Sequence, residues 1–245
     1  VTAPVFVVEH FDTDGGRYVL DGPEGRHAVS VKRLRAGEDV VLTDGAGRWA
    51  DCVVLDTEGK DRLILRLEPV REEPAEQPRV TVVQALPKGD RGELAVETMT
   101  EVGVDAIVPW AAARCITQWK GDRGAKALGK WRATAREAGK QSRRVRFPEV
   151  AEAATTRQVA SLLAGVEFAA VLHESGDAPL ATADLPATGE IVLVVGPEGG
   201  VAPEELALFE EAGAKAYRLG RSVLRTSTAG TAAAAVLLAR TGRWS

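Results

Sequence analysis

The residues best suited to chemistry lie near the C-terminus. Gly196-Pro197-Glu198-Gly199-Gly200 sets three glycines within five positions, and Gly220 opens a second glycine turn that runs through Val223-Leu224-Arg225-Thr226. Glycine carries no Cβ, so such loops reach positive φ and let main-chain atoms approach a bound molecule closely. That is the chemistry of docking a ligand against backbone. A plain strand-to-helix turn accounts equally well for one such loop, and the second loop is what favours a site. Neither GxGxxG spacing nor the Gly-Lys-Ser/Thr ending of a phosphate cradle is present. His173-Glu174-Ser175 closes a third apolar run, where a histidine is either a general base or an ordinary loop residue.

These loops need elements to hold them. Ile191 to Val195 is a short, β-branched apolar run that reads as a strand buried on both faces, the kind found in parallel sheets. Pro203, Glu204 and Glu205 suit the first turn of a following helix, and Gly213 its end. The strand Ala216 to Leu219 comes next. Ligands of open parallel sheets sit outside the carboxyl ends of strands, so both loops are expected to line one pocket. Upstream, strands Val80 to Leu86, Ala106 to Pro109 and Phe168 to Leu172 alternate with helices at Gly92 to Val102 and Ala125 to Gln141, a parallel α/β pattern. In the first of those helices Leu94, Ala95, Met99 and Val102 share a face and Gly103 is the stop. Residues 229–241 form an Ala-rich helix that Ser227 or Thr228 can cap, with side chains small enough for close packing.

The first seventy or so residues are β-rich, with short runs such as VFVVEH and RWADCVVLD separated by turns at Asp14-Gly15-Gly16 and Asp44-Gly45. That spacing suggests a small barrel. Ala28 to Arg35 reads as a helix end carrying Lys32, Arg33 and Arg35, either set on phosphates or simply solvated. The polar, proline-bearing stretch around Glu72 to Pro78 reads as a linker. The expected domains are thus residues 1–72, a linker at 73–79, and 80–245.

Composition is that of a soluble globular protein, with 45% hydrophobic and 27% charged residues among 245. The apolar run Ala232 to Ala239 is too short to span a membrane and no signal core opens the chain, so a cytoplasmic protein is expected. Cys52 and Cys115 are far apart and outside CxxC spacing, which indicates free structural thiols and no metal site. The net charge of −4 hides an uneven distribution: Lys120 to Arg146 holds ten basic residues against two acidic ones, a local +8 that leaves −12 elsewhere. Within it Arg132, Arg136, Lys140 and Arg144 recur every four residues, on one face of a helix. Like charges at that spacing repel by a few tenths of a kcal/mol per pair, so the stripe is either a solvated face or a surface for an anionic partner.

GPEGG followed by YRLGRSVLRTSTA resembles the trefoil-knotted SPOUT methyltransferases, specifically the RsmE type that methylates N3 of a uridine in 16S ribosomal RNA. The likeness extends through KGDR at Lys88 to Arg91 and EAGKQSRR at Glu137 to Arg144, in the family's order along nearly the whole chain. It implies a PUA-like RNA-binding barrel followed by a knotted α/β domain with a parallel sheet, active as a homodimer on 16S ribosomal RNA within the small subunit. The implied cofactor is S-adenosylmethionine. Its pocket would use Leu172, His173 and Glu174 from one loop and Val195, Gly196, Pro197, Glu198 and Gly199 from another. Leu219, Gly220, Val223, Leu224 and Thr226 would complete it. Glu198 would either accept from the cofactor ribose or cap the next helix. Lys32, Arg33, Arg35, Lys88, Arg91 and Arg114, with Arg132, Arg136, Lys140 and Arg144, would meet RNA. Where many relatives carry a lysine in the first helix of the catalytic domain and a glutamate in RTETA, this chain has Thr98 and Ser227, so no role is expected for those family side chains.

Methyl transfer needs alignment of donor and nucleophile and no metal. A uridine N3 must lose its proton, and a cation near O2 or O4 would steady the resulting anion. Arg225 is the side chain expected to do so. It could instead bind a loop carbonyl or Glu198. N3 lies on the Watson–Crick edge, so the target base must be unpaired or extruded. Two rival readings are a catalytically silent RNA-binding protein of the same fold and a nucleotide-binding α/β enzyme.

Overall fold

A computed structural model describes residues 3–12 and 16–245, so the expected turn at Asp14-Gly15 lies outside the described residues. By internal contacts the chain forms two compact units. One comprises the residues up to Ala75 together with Gly139–Phe147, the other Glu76–Ala138 with Pro148–Ser245.

The first unit contains β1 (Val5–Val7), β2 (Arg17–Leu20), α1 (Gly22–Arg26), β3 (Asp39–Thr43), β4 (Arg48–Glu58), β5 (Arg62–Leu67) and β6 (Arg71–Glu72). Its sheet runs β1-β3-β4-β5-β2, with β6 beside β4. Along β4, Ala50, Cys52 and Val54 are buried while Trp49, Asp51 and Val53 between them are not, the period-two pattern of a strand with one face on a core. Phe6, Leu42, Leu63 and Leu65 fill that core. The helix expected up to Arg35 stops sooner. A π-helical turn, His27–Val31, follows α1, and Arg33 at φ 56° turns the chain out. Lys32, Arg33 and Arg35 therefore project from an exposed loop.

The segment Gly139–Phe147, expected within the second domain, groups with the first unit for visible reasons. Thr43 Oγ1 donates to the Val145 carbonyl at 2.7 Å and the Phe147 amide to Gly45 O at 2.8 Å. A Cβ on Gly139 would lie 2.4 Å from the Phe147 ring, so only glycine permits that approach.

The second unit contains β7 (Arg79–Ala85), α2 (Arg91–Val102), β8 (Ala106–Trp110), α3 (Gly121–Gln141), whose last turn falls in the first unit, and β9 (Glu149–Val150). After them come α4 (Thr156–Leu163), β10 (Phe168–Leu172), β11 (Ala178–Pro179), β12 (Glu190–Val195), α5 (Pro203–Glu211), β13 (Lys215–Arg218) and α6 (Thr226–Arg240). The strands form one sheet in the order β11-β13-β10-β12-β7-β8-β9, every pairing parallel. Ile191 to Val195 of β12 are each at most 2% exposed. Ile191, Leu193 and Val195 pack with Met99 and Leu237 on one face; Val192 and Val194 pack with Trp110 and Phe209 on the other. Each such side chain contributes about 1.5–3 kcal/mol by leaving water.

Two expectations are corrected here. Leu94 is 45% exposed, and Ala95, Val96 and Met99 supply the buried face of α2 instead. The final helix starts at Thr226, and neither Ser227 nor Thr228 caps it: Ser227 is buried, Thr228 Oγ1 donates to the Arg225 carbonyl, and the residue at the cap position, Arg225, makes no side-chain cap bond.

Candidate functional site

Strands β13, β10 and β12 are neighbours, so the loops leaving their carboxyl ends emerge side by side. These are the loops after Leu172, Val195 and Arg218, and they enclose a cleft of about 530 Å³. Leu172, His173 and Glu174 form one wall, Val195 to Val201 a second, and Val223, Leu224, Arg225 and Thr226 a third. A recess of about 120 Å³ continues it past Leu219 and Gly220. All the residues the sequence placed around a cofactor thus line one continuous hollow, and Arg225 lines it with them.

Hydrogen bonds tie the walls together. Thr226 Oγ1 donates to the Gly196 carbonyl at 3.1 Å, and Gln84 Nε2, from the buried strand β7, donates to the Thr226 carbonyl at 3.3 Å. Arg114 Nη1 donates to Gly199 O at 3.0 Å. The loop also turns on itself, Gly200 N donating to Pro197 O. Glycine suits two of these points for different reasons: Gly200 sits at φ 75°, and a Cβ on Gly199 would come 3.2 Å from the Arg114 Cβ, a tight approach. In the loop after Leu172, a Cβ on Gly176 would lie 2.6 Å from the Tyr217 backbone, which explains how this loop hugs β13.

Glu198 does not cap the next helix. Its Oε1 accepts from the Lys88 amide at 3.1 Å, linking the glycine loop to the turn after β7. The start of α5 is held by Glu205 instead, which is 6% exposed and accepts from the amides of Ala202 and Ala113 and from Thr156 Oγ1. His173 Nδ1 lies 2.7 Å from Ser175 Oγ, so that nitrogen is engaged within its own loop. The Arg225 guanidinium is exposed and has no hydrogen bond or ion pair among the described residues; the links to a carbonyl or to Glu198 considered for it are not made. Val223 at 78% and Leu224 at 40% exposure leave an apolar lip beside it. Thr98 Oγ1 and Thr231 Oγ1 are 2.6 Å apart, joining α2 to α6 at the position where a family lysine was missing.

The basic residues are not brought together as one stripe. Arg132 bonds the Val150 carbonyl and Glu152, the latter at 2.9 Å. The Lys140 side chain is only 4% exposed and pairs with Glu24 at 3.0 Å inside the first unit. Arg144 lies beyond the end of α3, after Arg143 at φ 61°. The expectation of one RNA-facing stripe is therefore corrected for Lys140, whose ammonium is buried against Glu24, and for Arg144, which lies past the helix end; Arg132 and Arg136 are the exposed members on the helix. Lys88 is exposed, while Arg91 and Arg114 stand at the rim of the cleft. Sequence reasoning missed Gln84, and it placed Glu205 in the first turn of α5 without its bonds to Ala113 and Thr156. A lone Gln within the apolar run of β7 was the available signal for the first.

Residues 74–238 match a family model described as an RNA methyltransferase domain, and residues 20–68 one described as an RNA methyltransferase PUA domain. The chain is similar to ribosomal RNA small subunit methyltransferase E of Mycobacterium bovis, with 45% identity covering 100% of this chain and 94% of that protein. The protein of the same name from Bacillus subtilis is 29% identical over 86% of each. Among solved structures, it is similar to ribosomal RNA small subunit methyltransferase E of Neisseria gonorrhoeae bound to S-adenosyl methionine, at TM-score 0.83 and 29% identity over 98% of each chain.

Proposed function

Because the chain belongs to the RNA methyltransferase family of the ribosomal RNA small subunit methyltransferase E type, we infer that it transfers a methyl group from S-adenosylmethionine to N3 of a uridine in 16S ribosomal RNA. One observation carries the reading. Two glycine loops and the end of β10 meet around a single cleft, joined by the bond from Thr226 to Gly196.

The residues present fit the cofactor. The cleft has the size of a small-molecule site, and its Gly196–Gly200 wall leaves main-chain atoms where side chains would otherwise intrude. The loops beginning at His173, Gly196 and Leu219 would hold S-adenosylmethionine, which supplies a methyl group already activated by its sulfonium charge. The rest falls to this chain's own atoms. Arg225 faces the cleft with an uncommitted guanidinium, placed to steady negative charge on O2 or O4 as N3 gives up its proton. Val223 and Leu224 set an exposed apolar lip beside the approach.

Finer features belong to the same reading. The C-terminal segment is a trefoil knot: α6 packs on α2 and β7, which lie far back in the chain, and Gln84 holds its first carbonyl. The first unit, which takes in Gly139–Phe147, is a PUA-like barrel that grips RNA through Lys32, Arg33 and Arg35, and the second unit, Glu76–Ala138 with Pro148–Ser245, is the SPOUT domain. The working form is a cytoplasmic homodimer, with Val223 and Leu224 at the two-fold contact, acting on the small ribosomal subunit. A catalytically silent RNA-binding protein would leave the cleft and the Arg225 guanidinium without employment.

Mass mapping of 16S ribosomal RNA from a strain lacking this protein tests the reading. One N3-methyluridine should vanish and return when the protein is restored. Its persistence in the deleted strain would overturn the assignment.

A further inference from the structure

The second unit holds another cleft, of about 410 Å³, against α3. Trp119 and Trp131 line it, their rings edge to face with centroids 5.0 Å apart. Trp131 is buried and fixed: a Cβ on Gly92 would come within 2.7 Å of its indole, so α2 lies directly against the ring. Trp119 is half-buried and presents the rest of its surface to the cleft. Around these rings stand Arg123, Lys126 and Lys130, all exposed, with Glu93 the one carboxylate in the lining. None of the three cations has an ion pair among the described residues. Arg132, by contrast, is paired with Glu152.

Helix geometry separates the two groups. At 3.6 residues per turn, Arg123, Lys126 and Lys130 fall on one side of α3, and Arg132 and Arg136 are centred about 130° away around the helix. The cleft also adjoins the proposed methyl-transfer site. Pro87 and Gly89 of the turn after β7 form part of its wall, Arg91 of the same turn lines the large cleft, and the Lys88 amide is tied to Glu198. Thr117 Oγ1 donates to the Pro87 carbonyl at 2.8 Å and fixes the opposite wall to that turn.

We propose that this cleft seats an unpaired nucleotide flanking the target, its base stacked on Trp119 and its phosphates met by Arg123, Lys126 and Lys130. Aromatic faces beside cations are how single strands are held without reading sequence. A target uridine in a single-stranded loop has such an unpaired neighbour. The inference rests on the RNA methyltransferase reading and adds a subsite to it.

The test uses the full chain, with a short single-stranded oligouridylate and an abasic strand of the same length as probes, read by fluorescence anisotropy. Wild-type protein should bind the oligouridylate about tenfold more tightly than the abasic strand. Trp119→Leu, which keeps apolar bulk, should abolish that preference. The double variant Lys126→Gln/Lys130→Gln changes only exposed side chains. It should weaken binding of both probes and make the slope of log affinity against log salt shallower by about 1.4. Equal binding of both strands by the wild type, a preference that survives in Trp119→Leu, or an unchanged slope in the double variant would each overturn the subsite. Calorimetry with S-adenosylmethionine on the same proteins keeps the two readings apart: the subsite predicts unaltered cofactor affinity in both variants, and failure of the wild type to bind cofactor would strike the methyl-transfer reading instead.

Discussion

Thr226 Oγ1 donates to the Gly196 carbonyl at 3.1 Å, fastening the first residue of the last helix to the first residue of the GPEGG loop. Thr226 is 6% exposed, so water cannot readily replace the bond. One hydroxyl thereby sets the spacing of two loops thirty residues apart in sequence.

Replacing that threonine by valine keeps its shape and removes the donor. Thr226→Val should lose about 1 kcal/mol of stability and bind S-adenosylmethionine more weakly, since the loops are no longer held in register. Thermal melting and calorimetry measure both effects, and unchanged cofactor affinity would show that the bond does not shape the cleft.

Arg225→Ala should reduce turnover about 10²–10³-fold, the usual effect of removing one group that stabilises developing negative charge. Cofactor affinity should hardly move, and Arg225→Lys should recover part of the rate by keeping the charge. Single-turnover kinetics with saturating cofactor decide it. Wild-type turnover in the alanine variant would remove Arg225 from the chemistry.

Lys140 is an internal tie in the first unit. Its side chain is 4% exposed and Glu24, its partner at 3.0 Å, is 15% exposed. Lys140→Met removes one partner of Glu24 in a partly dry site, so urea denaturation should show a loss of about 2 kcal/mol. Pairing it with Glu24→Gln should restore part of that loss. Full stability in the single variant would mean the pair contributes little to folding.

Burial raises the Cys52 thiol from 9.0 to about 12, and burial likewise moves Cys115 upward. The sign follows directly: the folded state favours the neutral thiol, so its contribution to stability is complete below the unfolded value and is lost as pH climbs towards 12. Since the thiolate is the reactive form, thiol reagents near neutral pH should label the folded protein slowly, Cys52 slowest of all, and both cysteines promptly once it is unfolded. Rapid labelling of Cys52 in the folded protein would contradict its burial.

Legibility in the sequence followed the range of the forces involved. Strands β7, β8, β10, β12 and β13 could be read to within a residue or so, because burial on both faces demands unbroken apolar runs such as Ile191 to Val195. The pocket residues were legible for a similar reason: glycines where backbone must come close are a local signal. Lys140 was not. Its four-residue spacing from Arg136 describes a helix face, but Glu24, more than a hundred residues away, decides whether that face meets water. The Glu198 bond was hidden in the same manner, since its partner, the Lys88 amide, follows β7, the strand beside β12 but 110 residues away in the chain. Short strands such as Glu149–Val150 and Ala178–Pro179 escaped notice because two residues carry no period.

Amide hydrogen exchange with and without S-adenosylmethionine tests the central claim, that both glycine loops close on one cofactor through main-chain atoms. Exchange should slow together at Gly196–Gly200 and across the loop from Leu219 to Arg225. Protection confined to one loop, or appearing elsewhere in the chain, would contradict it.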